Sequence, residues 1–159
     1  MDPKELQVIT DTIVRQLSAA SSDITLTQAR RLSEQVRSKA DEMGVKAVVA
    51  ISNRTARPIL VECMDDAYIA SFDVALSKAF TVVSLKMSTA ELKPLAQPGG
   101  SLYGIQFTNQ GKIVIFGGGE PLCNSVGQVI GGIGVSGGSE EQDTALAAYA
   151  KEIFEKGRK

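Results

Sequence analysis

Apolar residues recur at three- and four-residue steps near the start of the chain, at Leu6, Ile9, Ile13 and Leu17, with Pro3 in the first turn. That spacing predicts an amphipathic helix between Pro3 and Ser18. A second stripe, Leu26, Ala29, Leu32, Val36, Ala40 and Met43, starts inside the capping box Thr25-Leu26-Thr27-Gln28 and stops at Gly44. The period then shortens. Val45–Ser52 and Pro58–Met64 are β-rich runs separated by the polar Asn53–Arg57, the pattern of a hairpin. From Tyr68 to Leu85 apolar residues wrap most of a helix, interrupted by Asp73 and Lys78. Lys78 there occupies either a solvated strip or a place opposite a specific partner. Ser88-Thr89-Ala90-Glu91 opens a short helix that Pro94 and Pro98 end.

Of the fifteen glycines, all but Gly44 and Gly157 fall between Pro98 and Gly138. Within this stretch, Tyr103–Thr108 and Lys112–Phe116 flank Asn109-Gln110-Gly111, which predicts a second hairpin, and Gly127–Val135 reads as a fifth strand. Ser139-Glu140-Glu141-Gln142 is a third capping box, followed by the stripe Ala145, Leu146, Tyr149 and Ile153. Two hairpins imply antiparallel pairing, so the expected class is α+β, with about five strands and helices packed on the sheet. The whole chain, 1–159, reads as a single domain with an additional N-terminal helix at 1–20.

Composition narrows the function more than it suggests one. A formal net charge of −1, with acidic and basic residues interspersed, leaves no electrostatic footprint for nucleic acid. No apolar run approaches the roughly 18 residues of a membrane span, and no basic, then apolar, leader opens the chain, so the expected location is the cytoplasm. Cys63 and Cys123 form no CxxC and are expected as free thiols. The absence of histidine excludes Ser-His and Cys-His pairs, histidine bases and histidine ligation of zinc or haem.

Gly132-Ile133-Gly134-Val135-Ser136-Gly137 matches the dinucleotide fingerprint in letters only, because no second parallel strand with an acidic end follows it. Gly117-Gly118-Gly119 is followed by Glu120-Pro121, an acid where a phosphate would sit. The triplet reads as a strand-end bulge or close subunit contact, or as backbone facing a ligand. Glu62, Asp65 and Asp66 fit a helix cap better than a metal site, and no metal is expected.

Several ordered segments between about Leu26 and Gln142 resemble the GlcG/HbpS-like proteins, a family that includes the C-terminal domain of PduO-type cobalamin adenosyltransferases. They are Met64-Asp65, Ser71-Phe72-Asp73-Val74-Ala75 with Lys78-Ala79, and Leu95–Gly100 continuing to Tyr103-Gly104. Thr108–Gly111, Phe116–Leu122, and Gly131–Gly138 leading to Glu141-Gln142-Asp143 complete the set. The resemblance implies a profilin-like fold with a five-stranded antiparallel sheet, and homo-oligomers that are tetramers or octamers. It also implies binding of haem or a cobalamin-type tetrapyrrole, with Lys78, Tyr103, Thr108, Asn109, Gly117, Gly118 and Gly119 lining the ligand site. The chain departs from haem-binding relatives at Thr108, where a histidine often stands, so Tyr, Cys or Met would have to ligate iron.

Three functional readings result. The first is a non-catalytic small-molecule or cofactor-binding protein, an accessory of cobalamin-dependent diol or glycerol metabolism. The second is an enzyme on a small molecule, with Lys78 as base or Schiff-base former and Glu120 as acid. The third is a structural oligomer whose glycines serve close subunit packing.

Overall fold

A computed structural model describes residues 1–157, without the side chains of residues 19–21. Residues 158 and 159 of the expected domain lie outside the described residues. The elements, in chain order, are α1 (Pro3–Ser21), α2 (Leu26–Glu42), β1 (Val48–Asn53), β2 (Pro58–Cys63), α3 (Ser71–Leu85), α4 (Thr89–Leu95), β3 (Gly119–Cys123), β4 (Val129–Ser136) and α5 (Glu140–Lys156). All three capping boxes form as the sequence predicts. Thr25, Ser88 and Ser139 each accept a hydrogen bond from the backbone N–H three residues on, and Gln28, Glu91 and Gln142 reach back to the cap.

The sheet has four strands in the order β2-β1-β4-β3, every neighbouring pair antiparallel. This corrects the expected five. Residues 103–116 look like a hairpin because Tyr103, Ile105 and Phe107 alternate with polar or small residues, but their backbone donors are used locally. Tyr103, Ile105, Phe107, Thr108, Gly111 and Lys112 each donate to the carbonyl three residues back, at 3.0–3.2 Å. Gly104, Asn109 and Gln110 take positive φ of 88°, 51° and 59°, which keeps the chain turning. Those six donors are therefore not available to a strand ladder, and the Val114 N–H is taken by Thr81 Oγ1.

The second hairpin forms instead between β3 and β4. Asn124 Oδ1 accepts from the N–H groups of Val126 and Gln128, an Asx turn that reverses the chain. β3 is an edge strand carrying Pro121. The Gly119 N–H is bound by Thr89 Oγ1 at 2.9 Å, away from β4, while the preceding carbonyl of Gly118 accepts from Val135. Two residues on, the ring nitrogen of Pro121 therefore also points away from the ladder, where proline costs no sheet bond.

Period-two alternation sorts β1 between the two faces of the sheet. Val49 and Ile51 join the larger core beneath α2 and α5, with Ile133, Val135 and Leu146, whereas Val48 and Ala50 face α3 through Ala75 and Ala79. On the α3 face β4 presents Gly132 and Gly134. A Cβ at Gly134 would lie 2.0 Å from the Ala75 carbonyl oxygen, so α3 rests on bare backbone there. In contrast to this packed unit, every residue of α1 through Ser18 is exposed. Among the described residues no helix is long and apolar enough to cross a membrane.

Candidate functional site

The residues singled out from the sequence fall into three places. The first is a buried knot around Lys78, whose side chain has no exposed surface. Its Nζ donates to the Val135 carbonyl at 2.8 Å and to Asp143 Oδ2 at 3.2 Å, and lies 5.0 Å from the centroid of the Phe116 ring. The other oxygen of Asp143 accepts from the Gly138 N–H at 2.9 Å. Of the two roles open to Lys78, the partnered one is realised. Burial lowers the pKa of the amine, and the Asp143 carboxylate works against that drop.

Gly117, Gly118 and Gly119 close this knot and are themselves buried. The Gly117 N–H donates to Glu140 Oε1 at 2.9 Å. Gly118 has a φ of 111°, and a Cβ there would come within 2.5 Å of Lys78 Nζ. The triplet is thus packed against side chains of its own subunit. Asp143, the group that completes the arrangement, stands in the Glu141-Gln142-Asp143 segment but carries no local signal of its partner, which lies 65 residues away.

Glu120 occupies the second place. Gly119 faces α3, so its neighbour Glu120 points to the opposite side of the sheet, where Lys151 of α5 lies 3.3 Å away. Burial raises the pKa of Glu120 against the pull of Lys151. Lys78 and Glu120 are therefore separated by the sheet, and the amine of Lys78 has no open face to a substrate.

The third place is the turn segment, where Tyr103 is 64% exposed and Thr108 and Asn109 are exposed. The Thr108 hydroxyl lies 2.6 Å from the Ile105 carbonyl and 3.0 Å from Asn109 Oδ1. Directly after Asn109, Gln110, Gly111 and Lys112 form one wall of a cavity of about 420 Å³, whose other walls are Ala56, Pro58, Asp73, Leu76, Ser77 and Phe80. Leu76 and Phe80 give it an apolar side, and Lys112 Nζ sits 5.5 Å from the Phe80 ring centroid. In the adjoining turn, Gln106 Oε1 is buried without a hydrogen-bond partner among the described residues. None of the nine lining residues is among the site residues nominated from the sequence, because α3 and the turns meet only in the fold. No group of three or more Cys, Asp or Glu residues among the described residues is arranged to hold a metal ion.

A four-stranded antiparallel sheet covered by helices, with a glycine-rich segment locked over α3, defines an HbpS-like domain, and the chain belongs to that family. The model of the family, described as haem degrading protein HbpS-like, matches residues 24–152. A 15.0 kDa protein from the dhaT-dhaS intergenic region of Citrobacter freundii is 45% identical over 131 residues, covering 82% of this chain and 92% of that one. The corrinoid adenosyltransferase PduO of the same organism is 37% identical over 127 residues, 80% of this chain but 38% of PduO. The crystal structure of a PduOC:heme complex superposes with a TM-score of 0.79 at 37% identity, covering 82% of this chain and 94% of that one.

Proposed function

We propose that this protein is a non-catalytic tetrapyrrole-binding protein, taking haem or a corrinoid at the cavity between α3 and the 105–112 turns. The observation that carries the reading is the close structural match to PduOC in its complex with heme. The cavity volume is in the range of small-molecule sites, with Leu76 and Phe80 to meet a macrocycle and Lys112 to pair with a carboxylate on its rim.

The cavity lining contains no His, Cys, Met or Tyr, and the chain has no histidine at all. Retention in this reading comes from burial of the ring and from Lys112, with the exposed Tyr103 phenol and the Thr108 hydroxyl as the nearby oxygen donors on the loop. The chain would work in the cytoplasm as a profilin-like homo-oligomer, a tetramer or octamer, beside cobalamin-dependent diol or glycerol metabolism. Gly117, Gly118, Gly119 and Lys78 support the site from behind by fixing the segment that leads away from it.

Titration of the purified protein with haemin and with cob(II)alamin tests the proposal. The expected outcome is a shifted Soret or corrin band, co-elution on gel filtration, and at least tenfold weaker binding in Lys112→Glu. Unchanged spectra and no retained ligand would overturn it. Native mass spectrometry reads the subunit count and any bound mass in the same experiment.

A further inference from the structure

A second cavity, of about 580 Å³, opens at the end of the sheet where β1 and β3 finish and β4 begins, and it shares no lining residue with the one beside Phe80. Cations reach it from three separate elements: Arg54 from the turn after β1, Lys86 from the end of α3, and Lys151 from α5. Glu91 is the one acid in its lining, and its Oε2 is committed to the Ser88 N–H at 2.8 Å in the cap of α4. Outside the lining, Glu120 lies 3.3 Å from the Lys151 ammonium, and Glu155 adds its field there. Arg54 and Lys86 still outnumber Glu91, on a chain whose net charge is −1.

Lys86 is the cation that packing leaves unexplained. Its side chain makes no ion pair or hydrogen bond among the described residues. Its backbone is left-handed, with φ 55° and ψ 36°, at the cap of α3 where Gly or Asn is usual. A cation near a helix C-terminus complements the dipole, but the last turn of α3 would serve as well without strain, and it carries none. A strained backbone retained under an unpaired cation at a cavity mouth is the signature of a binding site. The neighbouring donors are set in place. Gln128 Oε1 accepts from Asn124 Nδ2 at 3.1 Å, which leaves the amide nitrogen as the end open to a ligand. The Arg54 N–H is held by Asp23 Oδ1 at 2.8 Å, and the turn that carries it is fixed by Asn53 Oδ1, which accepts from the N–H groups of Thr55 and Arg57 at 3.0 Å.

The geometry points to a binding site for a small organic phosphate. Lys86 and Arg54 meet the phosphate group, with Gln128 as a neutral donor, while Met87 and Val129 offer apolar surface to the body of the molecule. A phosphate monoester is largely dianionic at neutral pH and takes two cations from different sides, where a single carboxylate is balanced by one. The volume is that of a small-molecule site.

Titration of the full chain with phenyl phosphate, followed by amide NMR at constant ionic strength, tests this assignment. Saturable shifts are expected at Lys86, Met87, Gln128 and Val129, with binding at least tenfold tighter than that of benzoate or inorganic phosphate. Lys86→Gly keeps a residue suited to the left-handed backbone and removes the charge, so it should unfold at no lower temperature than the parent and bind phenyl phosphate at least tenfold more weakly. Cys123 lines the same cavity, so in a Cys63→Ser background phenyl phosphate should slow its alkylation by neutral iodoacetamide several-fold. Equal binding in Lys86→Gly, equal binding of benzoate, or shifts that sodium chloride reproduces would each overturn the site. The haemin response of Lys86→Gly is expected to match the parent's, and its loss would overturn the separateness of the two cavities.

Discussion

Lys78 and Asp143 form an ion pair with side chains only 0% and 6% exposed, tied at each end to backbone of the glycine-rich segment. Removing one partner leaves the other charged and buried, which costs about 3–5 kcal/mol. Lys78→Met is therefore expected to lower the urea midpoint sharply, and Lys78→Met/Asp143→Leu to recover a large part of the loss. Equal effects of the single and double changes would contradict the pairing. Glu140 makes a second prediction, this one in pH. The Gly117 N–H, followed by Lys93, lowers its pKa. A carboxylate whose native pKa is depressed adds stability that is complete above its ordinary range and lost as pH falls through that range to the lowered value. Glu140→Gln should be less stable near neutrality and show a shallower acid-side decline, measured as unfolding midpoint against pH.

At the scale of elements, α3 meets β4 where Gly132 and Gly134 have no side chains, so the spacing between helix and sheet is set by backbone atoms. A methyl at Gly134 would meet the Ala75 oxygen at 2.0 Å and the Ala79 nitrogen at 2.7 Å, and neither can rotate away. Gly134→Ala should cost at least about 3 kcal/mol, at the upper end for overpacking, read by thermal or chemical unfolding. The elements legible in the sequence were those specified locally: the capped helices and the first hairpin announce themselves within a few residues. The alternation of Tyr103, Ile105 and Phe107 imitated a strand because periodicity cannot register that the backbone donors are used in successive turns. β3 was missed for the opposite reason, since Gly119-Glu120-Pro121 reads as a breaker and becomes a strand only because it lies on an edge. Lys78 was legible as an anomaly, but Asp143 as its answer was not, because a contact across 65 residues has no local trace.

For the molecule as a whole, a sheet covered by α3 on one face and by α2 and α5 on the other leaves two free margins, β2 and β3. They are not equivalent. Along β3 the Gly119 donor is already held by Thr89, and Pro121 has no donor to offer. An open-ended fibre built by edge addition needs the β2 margin of each copy to dock on the β3 margin of the next, and the blunted margin withholds two of the bonds that step requires. Misassembly through β2 alone closes on itself after two copies, because each then has only a blunted margin to present. Under mildly destabilising conditions Pro121→Thr should convert such self-limited species into growing aggregates, followed by light scattering over time, with no change in the folded circular dichroism spectrum. Equal growth rates in the two proteins would show that Pro121 exerts no such control over how far the sheet can extend from molecule to molecule.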